Sequence, residues 1–279
     1  MRIGTRASAL ALVQARHVAA LLGGEHELVH VTTSGDRGER VSDKERWVRE
    51  LDVALLRGDI DCAVHSAKDV PAALPAGMVI AGVPERADAR DALCGAPSLA
   101  ALERGARVGT SSLRRASQLR ALRDDLDVAE LRGNVDTRLR KLAAGDYAAI
   151  VLAAAGLERL GRGGEGTPLA ELVPAAGQGC LAVTVRAGEE SLVAAITHAP
   201  SARALEAERA VVRGLEADCH TPVGAHAQGN GTLTLRAFVG AADGGAWVRD
   251  ELDGDEPAAL GEEVAARLLA AGAREVLGR

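Results

Sequence analysis

A short apolar run leads into four polar residues in the segment "AVHSAKDVP". These residues are His65, Ser66, Lys68 and Asp69, and Pro71 follows them. A neighbouring cation favours the ionised form of a carboxyl group, so Asp69 is expected to carry charge beside Lys68. A carboxylate fixed in a cleft accepts N–H hydrogen bonds and stabilises a developing cation. The alternative is that Lys68 and Asp69 only cap a turn.

Anion binding is predicted where the segment "GTSSLRR" opens a helix. This segment brings together three kinds of donor: the N–H groups of the first turn, the hydroxyls of Ser111 and Ser112, and the guanidinium groups of Arg114 and Arg115. Such a corner suits a carboxylate or a phosphate. The alternative is an ordinary capped helix with solvated arginines.

A second basic cluster lies in "LRGNVDTRLRK". Arg132 stands at the end of a predicted strand, and Arg138 and Arg140 lie on or near the next helix. Ligands of open α/β sheets bind beyond the carboxyl ends of the strands, so both clusters are expected to point into one cleft. A salt-bridged helix surface is the alternative, more so for Arg140 than for Arg132.

Only one of the four cysteines lies in a polar loop. Cys219 stands beside His220 in "EADCHTPVGAHA", where an exposed thiol that can be alkylated is expected. Cys62, Cys94 and Cys180 lie in a strand or in runs of apolar or small residues, which predicts inert packing. Because the cysteines are far apart and form no CxxC pair, neither a zinc site nor a disulfide scaffold is predicted.

Composition narrows the class of partner. The net charge of -6 argues against binding to nucleic acid or to a membrane surface, which need a dominant positive field. Of the 33 cationic residues only three are lysines, so an anionic ligand would be held mainly by local arginines. Neither a signal peptide nor a membrane-spanning run is recognisable, which predicts a cytoplasmic protein.

The elements that must position these residues alternate along the chain. The first unit contains a strand "MRIGT", a helix capped by Ser8 and stopped by Gly23, a strand "HELVHVTT", a helix "WVRELDVALLRG" and a strand "IDCAVHS". A second unit with the same alternation begins near "PERADARDALCG". Alternation of this kind predicts mostly parallel sheets covered by helices, with a cleft between the two units.

The pattern changes from about residue 200 onward. A long amphipathic helix, "SARALEAERAVVRGLEA", precedes a predicted antiparallel pair of strands, "TLTLRAFVG" and "AWVRDELDG". A single closing helix is predicted over "PAALGEEVAARLLAAGAREVL". This order of elements indicates a third, smaller α+β domain.

In chain order, these segments resemble the porphobilinogen deaminase family from "RIGTRASALALVQA" to "GAREVL". The matching motifs include "HSAKDVP", "GTSSLRR", "LRGNVDTRLRKL", "AIVLAAAGLERLG", "PAAGQG" and "CHTPVGA". The resemblance implies two periplasmic-binding-protein-like (type II) α/β domains with a cleft between them, plus a small α+β C-terminal domain. The implied boundaries are residues 1–84 with 180–198, residues 85–179 and residues 199–279.

The resemblance also implies an activity. Members of this family are transferases of tetrapyrrole (haem-type) biosynthesis that join four porphobilinogen molecules head to tail into hydroxymethylbilane and release ammonia. The reaction is primed by a covalently bound dipyrromethane cofactor, one per chain. The implied partners are porphobilinogen and the growing linear polypyrrole, for a cytoplasmic monomer with no metal, nucleic acid or membrane partner.

Site residues follow from the same resemblance. Cys219 would hold the dipyrromethane through a thioether bond, and Asp69 would be the catalytic residue that contacts the pyrrole nitrogens. The other implied cofactor-binding residues are Lys68, Ser112, Arg114, Arg115, Arg132 and Gly133. The residues implied to bind the acetate and propionate groups of the substrate are Thr5, Arg6, Ser8, Arg138 and Arg159.

Three stretches depart from the family pattern. "SDKERW" stands where the family has a glycine-rich "GGKGLF"-like stretch, so Lys44 and Trp47 would replace its lysine and phenylalanine in a shortened loop. Asp218 and His220 flank the loop cysteine, where the family has a small residue and a glutamine. "DARDA" replaces "DPRDA" at residues 88–92, which is expected to affect only a turn.

Two other functions would account for parts of the sequence. The first is an anion-binding or ligand-sensing module of the periplasmic type, which would explain the arginines but gives Cys219 no task. The second is a thiol enzyme with Cys219 as nucleophile and His220 as base. Residues adjacent in sequence seldom have the mutual geometry that such a pair requires.

Overall fold

The structure is a computed structural model that describes residues 1–32, 48–218 and 220–279. The strands within these ranges are β1 (Arg2–Thr5), β2 (Glu27–His30), β3 (Cys62–Ser66), β4 (Met78–Gly82), β5 (Asp91–Cys94), β6 (Arg107–Gly109), β7 (Asp127–Ala129), β8 (Ala149–Ala153), β9 (Thr167–Leu169), β10 (Leu181–Arg186), β11 (Val223–Gln228), β12 (Leu233–Gly240) and β13 (Trp247–Gly254). The α-helices are α1 (Ala9–Leu22), α2 (Arg49–Arg57), α3 (Leu113–Leu122), α4 (Val135–Ala143), α5 (Ala154–Arg159), α6 (Ala199–Gly214), α7 (Pro257–Ala270) and α8 (Ala273–Val276).

Two five-stranded sheets have the same design. The first sheet has the order β2-β1-β3-β10-β4, and the second has the order β7-β6-β8-β5-β9. In each sheet one strand, β10 or β5, runs antiparallel to its neighbours. The remaining strands run in one direction, so their carboxyl ends lie on one edge of each sheet.

The chain crosses twice between the two sheets, because β10 returns to the first sheet after β5 to β9 have formed the second. The first crossover segment, residues 83–90, leads from β4 to β5, and the second crossover segment, residues 170–180, leads from β9 to β10. The two segments lie side by side, because Ala87 donates its N–H to the carbonyl of Gly179 at 3.3 Å.

The third sheet is antiparallel, in the order β11-β12-β13. α6 and α7 cover one side of it, and their apolar side chains form a core with Leu233, Leu235 and Val239. α6 also contacts the earlier part of the chain. The Arg209 guanidinium donates to the carbonyls of Pro71 and Ala72 at 2.7 and 3.0 Å.

Local sequence accounts for the helix ends near the strand edges. Ser8 caps α1, accepting from the N–H of Ala11 at 3.3 Å, and Gly23 ends the helix with a positive φ. Ser112, rather than Ser111, caps α3. Asn134 caps α4 by accepting from the N–H of Thr137 at 2.9 Å.

The predicted fold class is confirmed, with two α/β units and a smaller α+β unit. Two details were wrong or missed. The single closing helix is two helices, because Gly272 has a left-handed φ and separates α7 from α8. Strands β4, β5, β9, β10 and β11 were not predicted, although they complete all three sheets.

None of the helices in the described part of the chain has the length and apolar character needed to cross a bilayer.

Candidate active site

The segment that follows β3 brings Lys68 and Asp69 to the carboxyl edge of the first sheet. Residues Ala67–Asp69 form a short 3-10 helix, which begins where the N–H of Ala67 donates to the carbonyl of Cys180 at 3.0 Å. This contact ties the segment to the second crossover segment. Arg209 holds the carbonyls that follow, so both ends of the short helix are fixed.

A buried carboxylate anchors the two arginines of α3. Asp91, the first residue of β5, is fully buried and accepts from Nη1 of Arg114 at 2.7 Å and from Nε of Arg115 at 2.8 Å. The two guanidinium groups hold the pKa of Asp91 well below its usual range, against the opposing effect of burial. The side chains of Arg114 and Arg115 are 5% and 7% exposed, so solvated arginines, the alternative reading, are excluded.

Gln178 connects this ion cluster with Lys68. Its Oε1 accepts from Nζ of Lys68 at 3.3 Å and from Nη2 of Arg115 at 3.4 Å, and its Nε2 donates to Oδ1 of Asp91 at 2.9 Å. Burial first, and then the positive charge of Arg115, lower the pKa of Lys68 to about 8. The neighbouring carboxylates of Asp69 and Asp91 oppose that shift.

A third arginine lies near the cap of α3. Arg138, on α4, donates from Nη2 to the hydroxyl of Ser111 at 2.9 Å and from Nε to the carbonyl of Gly133 at 2.8 Å. Burial and the charge of Arg115 lower the pKa of Arg138 to about 10. The predicted convergence of the "GTSSLRR" and "LRGNVDTRLRK" segments is therefore present for Arg115 and Arg138.

Arg132 and Gly133 lie at the rim of this cluster. The Arg132 side chain is 80% exposed and pairs with Glu130, with an Nε–Oε1 distance of 2.6 Å. Gly133 has a φ of 118°, and a Cβ there would approach Thr137 Cγ2 to 2.8 Å. Glycine thus permits the tight turn that presents Arg132 to solvent.

The amino-terminal candidates lie beyond the carboxyl end of β1. Thr5 is fully buried, and its hydroxyl donates to the carbonyls of Arg6 and Ala11 at 3.3 and 3.2 Å. Ser8 caps α1. The charge of Arg6 reaches His65 on β3, where burial first and then this charge lower the pKa of the imidazole to about 4.

Arg159 lies at the end of α5, which packs beside α1. Its Nη2 donates to the carbonyl of Gly179 at 2.7 Å, so this guanidinium is attached to the second crossover segment. Burial lowers its pKa.

Asp69 is half-buried next to this set of cations. Lys68, Arg114, Arg115 and Arg138 form a positive surplus against Asp69 and Asp91. Such a surplus in a partly desolvated place attracts carboxylates, for which the planar guanidinium has the matching geometry.

The predictions for the four cysteines have different outcomes. Cys62, Cys94 and Cys180 are fully buried, which confirms them as packing residues, and burial raises their pKa to about 12, 11 and 12. Cys219 and the stretch that contains Lys44 and Trp47 lie outside the described residues.

Sequence reasoning missed two residues of the cluster. Asp91 belongs to "DARDA", where the replacement of the family's proline was expected to affect only a turn, and Gln178 belongs to "PAAGQG". Their signal was weak, since each lies in a short polar interruption beside apolar residues and acquires its partners only through the crossovers.

A buried ion pair also joins α6 to the crossovers. Glu208 is fully buried and accepts from Nη1 of Arg86 at 2.6 Å, from the N–H of Gly177 at 2.6 Å and from the N–H of Ala227 at 2.8 Å. Arg86 also donates from Nε to the carbonyl of Gln178 at 2.9 Å. The third sheet is thereby connected to the two segments that support the cluster.

Comparison with known proteins gives a consistent result. Residues 1–194 match the family model described as "Porphobilinogen deaminase, dipyromethane cofactor binding domain", and residues 202–270 match the model of the porphobilinogen deaminase C-terminal domain.

Curated proteins named porphobilinogen deaminase are similar over nearly the whole chain. One from Roseiflexus sp. (strain RS-1) is 49% identical, and the alignment covers 99% of this chain and 97% of the relative. Another from Thermus thermophilus is 46% identical, with 99% and 98% covered. A third from Brevibacillus brevis is 43% identical, with 99% and 96% covered.

Among solved structures, a periplasmic substrate-binding protein of an ABC transporter from Coxiella burnetii aligns with a TM-score of 0.43 and 16% identity. That alignment covers 75% of this chain and 96% of the other.

Proposed function

Because the chain belongs to the porphobilinogen deaminase family, we propose that the cations around Asp69 hold the carboxylates of a dipyrromethane attached to Cys219 and of the growing pyrrole chain. The activity is that of the family, a transferase reaction that joins four porphobilinogen molecules head to tail into hydroxymethylbilane and releases ammonia. The observation that carries the site assignment is the group formed by the half-buried Lys68 and the buried Arg114 and Arg115 beside Asp69.

The residues present fit a ligand rich in carboxylates. Each pyrrole ring of the cofactor carries an acetate and a propionate, which need cationic or N–H donors. The cations outnumber the nearby carboxylates, and Nε of Arg114 is buried without a hydrogen-bond partner among the described residues. A buried donor of this kind is rare in folded proteins and suits an incoming acceptor. We assign Lys68, Ser112, Arg114, Arg115, Arg132 and Gly133 to the cofactor.

When bound, the dipyrromethane supplies the terminal pyrrole ring to which the first substrate ring is joined. The chain's own residues bind and orient the substrate. Loss of ammonia leaves positive charge on the substrate ring, and the Asp69 carboxylate stabilises it by accepting the hydrogen bond of the ring N–H. The same carboxylate assists the proton transfer that follows ring joining.

The substrate carboxylates are assigned to a second set of residues: Thr5, Arg6, Ser8, Arg138 and Arg159. Thr5 is the last residue of β1, and Arg6, Ser8 and Arg159 belong to loops or helices that begin at the carboxyl end of β1 or β8. The assignment of Arg159 is supported by its hydrogen bond to the carbonyl of Gly179, which brings the guanidinium near Gln178. Thr5 acts through the backbone, since its hydroxyl is occupied and buried.

The domain division follows the crossovers. Residues 1–84 with 180–198 form the domain of the first sheet, residues 85–179 the domain of the second, and residues 199–279 the domain that carries the Cys219 loop. Support comes from the crossover segments and from the start of α6 at Ala199. By family membership we also assign a monomeric, cytoplasmic enzyme that acts without nucleic acid or membrane.

Intact-mass measurement tests the proposed attachment. The purified chain is expected to exceed its sequence mass by two pyrrole rings, and Cys219→Ser is expected to lose the added mass together with activity. Cys94→Ala, at a buried cysteine, serves as the control and should keep the added mass. An unmodified wild-type chain, or an adduct that survives Cys219→Ser, would contradict the assignment.

A further inference from the structure

We propose that Gln178 is a positioning residue for the reaction, whose side-chain amide holds the Lys68 ammonium and the Arg115 guanidinium at a fixed separation between the first and second sheets. Lys68 follows a strand of the first sheet, whereas Arg115 lies on α3 above the second sheet. Gln178 belongs to the second crossover segment and touches both. The inference rests on the proposed function, since it concerns how that site is held together.

Two glycines allow Gln178 to reach this place. Gly177 and Gly179 have φ values of 75° and 88°, which favour glycine. A Cβ on Gly177 would lie 2.9 Å from the carbonyl carbon of Ala67, and a Cβ on Gly179 would collide with the carbonyl of Ala87. The segment "GQG" is therefore pressed between the 3-10 helix that carries Asp69 and the first crossover segment.

The chemistry of the neighbours fixes the orientation of the amide. Nε2 donates to the carbonyl of Ala89 at 2.7 Å and to Asp91 at 2.9 Å, and Oε1 faces Lys68 and Arg115. A flipped amide would present its N–H groups to two cations and its oxygen to a carboxylate. All the polar capacity of this fully buried side chain is thus directed at its charged and carbonyl neighbours.

The backbone of Gln178 is held from the opposite side. Its carbonyl accepts from Nε of Arg86 at 2.9 Å, and the same arginine pairs with Glu208 of α6. The N–H of Gly177 donates to Glu208 at 2.6 Å. Because its main chain is anchored to α6, the Gln178 amide is a rigid support for Lys68 and Arg115 rather than a side chain that follows them.

The charge state of Lys68 gives this arrangement a measurable consequence. Burial, followed by the charge of Arg115, lowers the pKa of Lys68 to about 8, and Arg114 acts in the same direction. The carboxylates of Asp69 and Asp91 favour the charged ammonium and oppose this shift. Oε1 of Gln178 accepts from Nζ and favours the charged form. Changes to that acceptor should move the alkaline limb of the pH dependence of kcat/KM.

Two substitutions of Gln178 and one control separate positioning from packing. Gln178→Met keeps the length of the side chain and removes every hydrogen bond that the side-chain amide makes. Gln178→Glu keeps the shape and the acceptor that faces Lys68 and adds negative charge, but it replaces the Nε2 donor to Ala89 and Asp91 by an oxygen. The control is Gln118→Met, because Gln118 is also fully buried but, among the residues that the structure describes, bonds only to the backbone of Arg114 and Val173. All variants are assayed as the full-length, cofactor-loaded chain, with loading checked by intact mass.

We expect Gln178→Met to lower kcat/KM by about 10²-fold, the loss typical of a misplaced reacting group, and to move the alkaline limb to lower pH. Gln178→Glu should move the limb the opposite way, by about one pH unit, because a carboxylate beside the ammonium raises its pKa. Gln118→Met should leave the limb where it is. If Gln178→Met does not fold, the direction of the limb in Gln178→Glu decides alone.

A limb that stays unmoved in the Gln178 variants, or that moves equally in Gln118→Met, would overturn the inference while leaving the proposed function intact. The absence of a pyrrole adduct from the wild-type chain would instead overturn the proposed function. The mass and the pH profile therefore distinguish the two failures.

Discussion

Asp91 accepts a hydrogen bond of 2.7 Å from Nη1 of Arg114, and both side chains are almost completely shielded from solvent. Arg115 donates to the same carboxylate, so a single negative charge compensates two buried guanidinium groups. The pair joins a strand of the second sheet to the helix α3, since Asp91 begins β5 and Arg114 lies in the first turn of α3. Its stability bears directly on the site that we propose.

Replacing Asp91 by asparagine should destabilise the fold strongly. The substitution keeps the shape but leaves two buried cations without their counter-charge, a change that costs about 3–5 kcal/mol in comparable pairs. The free energy of unfolding in urea measures the effect. Asp127→Asn is the control, because its pair with Arg107 has both side chains more than half exposed and should contribute less than about 1 kcal/mol. Equal losses in the two variants would contradict the account.

His65 should make the stability depend on pH below neutrality. Burial keeps the folded pKa of His65 at about 4, whereas the unfolded side chain titrates near 6.5. Between these values the unfolded chain binds more protons, so the stabilising contribution is present above pH 6.5 and is lost as the pH falls to about 4. The full difference is roughly 3 kcal/mol at 1.36 kcal/mol per pKa unit.

The His65 contribution can be isolated with a variant. His65→Asn should flatten the decline of the unfolding free energy across this pH window, while His17→Asn, at an exposed position of α1, should leave the decline unchanged. Parallel curves for wild type and His65→Asn would show that the imidazole is not the group responsible.

Gly177→Ala tests the close approach of the second crossover segment to Asp69. The added Cβ would lie 2.9 Å from Ala67 C and 3.0 Å from Lys68 N, so the short helix must move. We expect a fall in both turnover and unfolding free energy. Gly145→Ala is the matched control, since Gly145 has a similar φ of 80° with nothing near its Cβ position. It should cost about 1 kcal/mol of stability from the backbone alone and leave turnover intact.

Equal effects of the two alanine substitutions on turnover would show that the contact with the Asp69 helix has no catalytic consequence.

Local signals in the sequence were sufficient for much of the fold. Ser8 and Gly23 bound α1 as predicted, and the alternating apolar pattern of the third unit identifies β12 and β13. Capping and periodicity depend on neighbours along the chain, so they can be read without tertiary structure. The break at Gly272 was missed because the apolar pattern continues through it.

Long-range pairing could not be read in the same way. β10 enters the first sheet between β3 and β4, although all the strands of the second sheet lie between β4 and β10 in sequence. Asp91 meets Arg114 at a separation of 23 residues and Gln178 at one of 87. No periodicity specifies such partners, so the arginine motif was recognised as a binding element while the residues that hold it in place were not.

The most direct test of the account is the turnover of Asp69→Asn in chains whose pyrrole adduct has been verified by mass. The variant keeps the shape of the side chain and removes the charge that stabilises the cationic substrate ring. We expect turnover to fall by about 10²–10³-fold, as when an electrostatic stabiliser is lost, with unfolding free energy unchanged. Asp59→Asn, at an exposed site in the loop that precedes β3, should retain full activity. Near-normal turnover in the loaded Asp69→Asn enzyme would contradict the central claim.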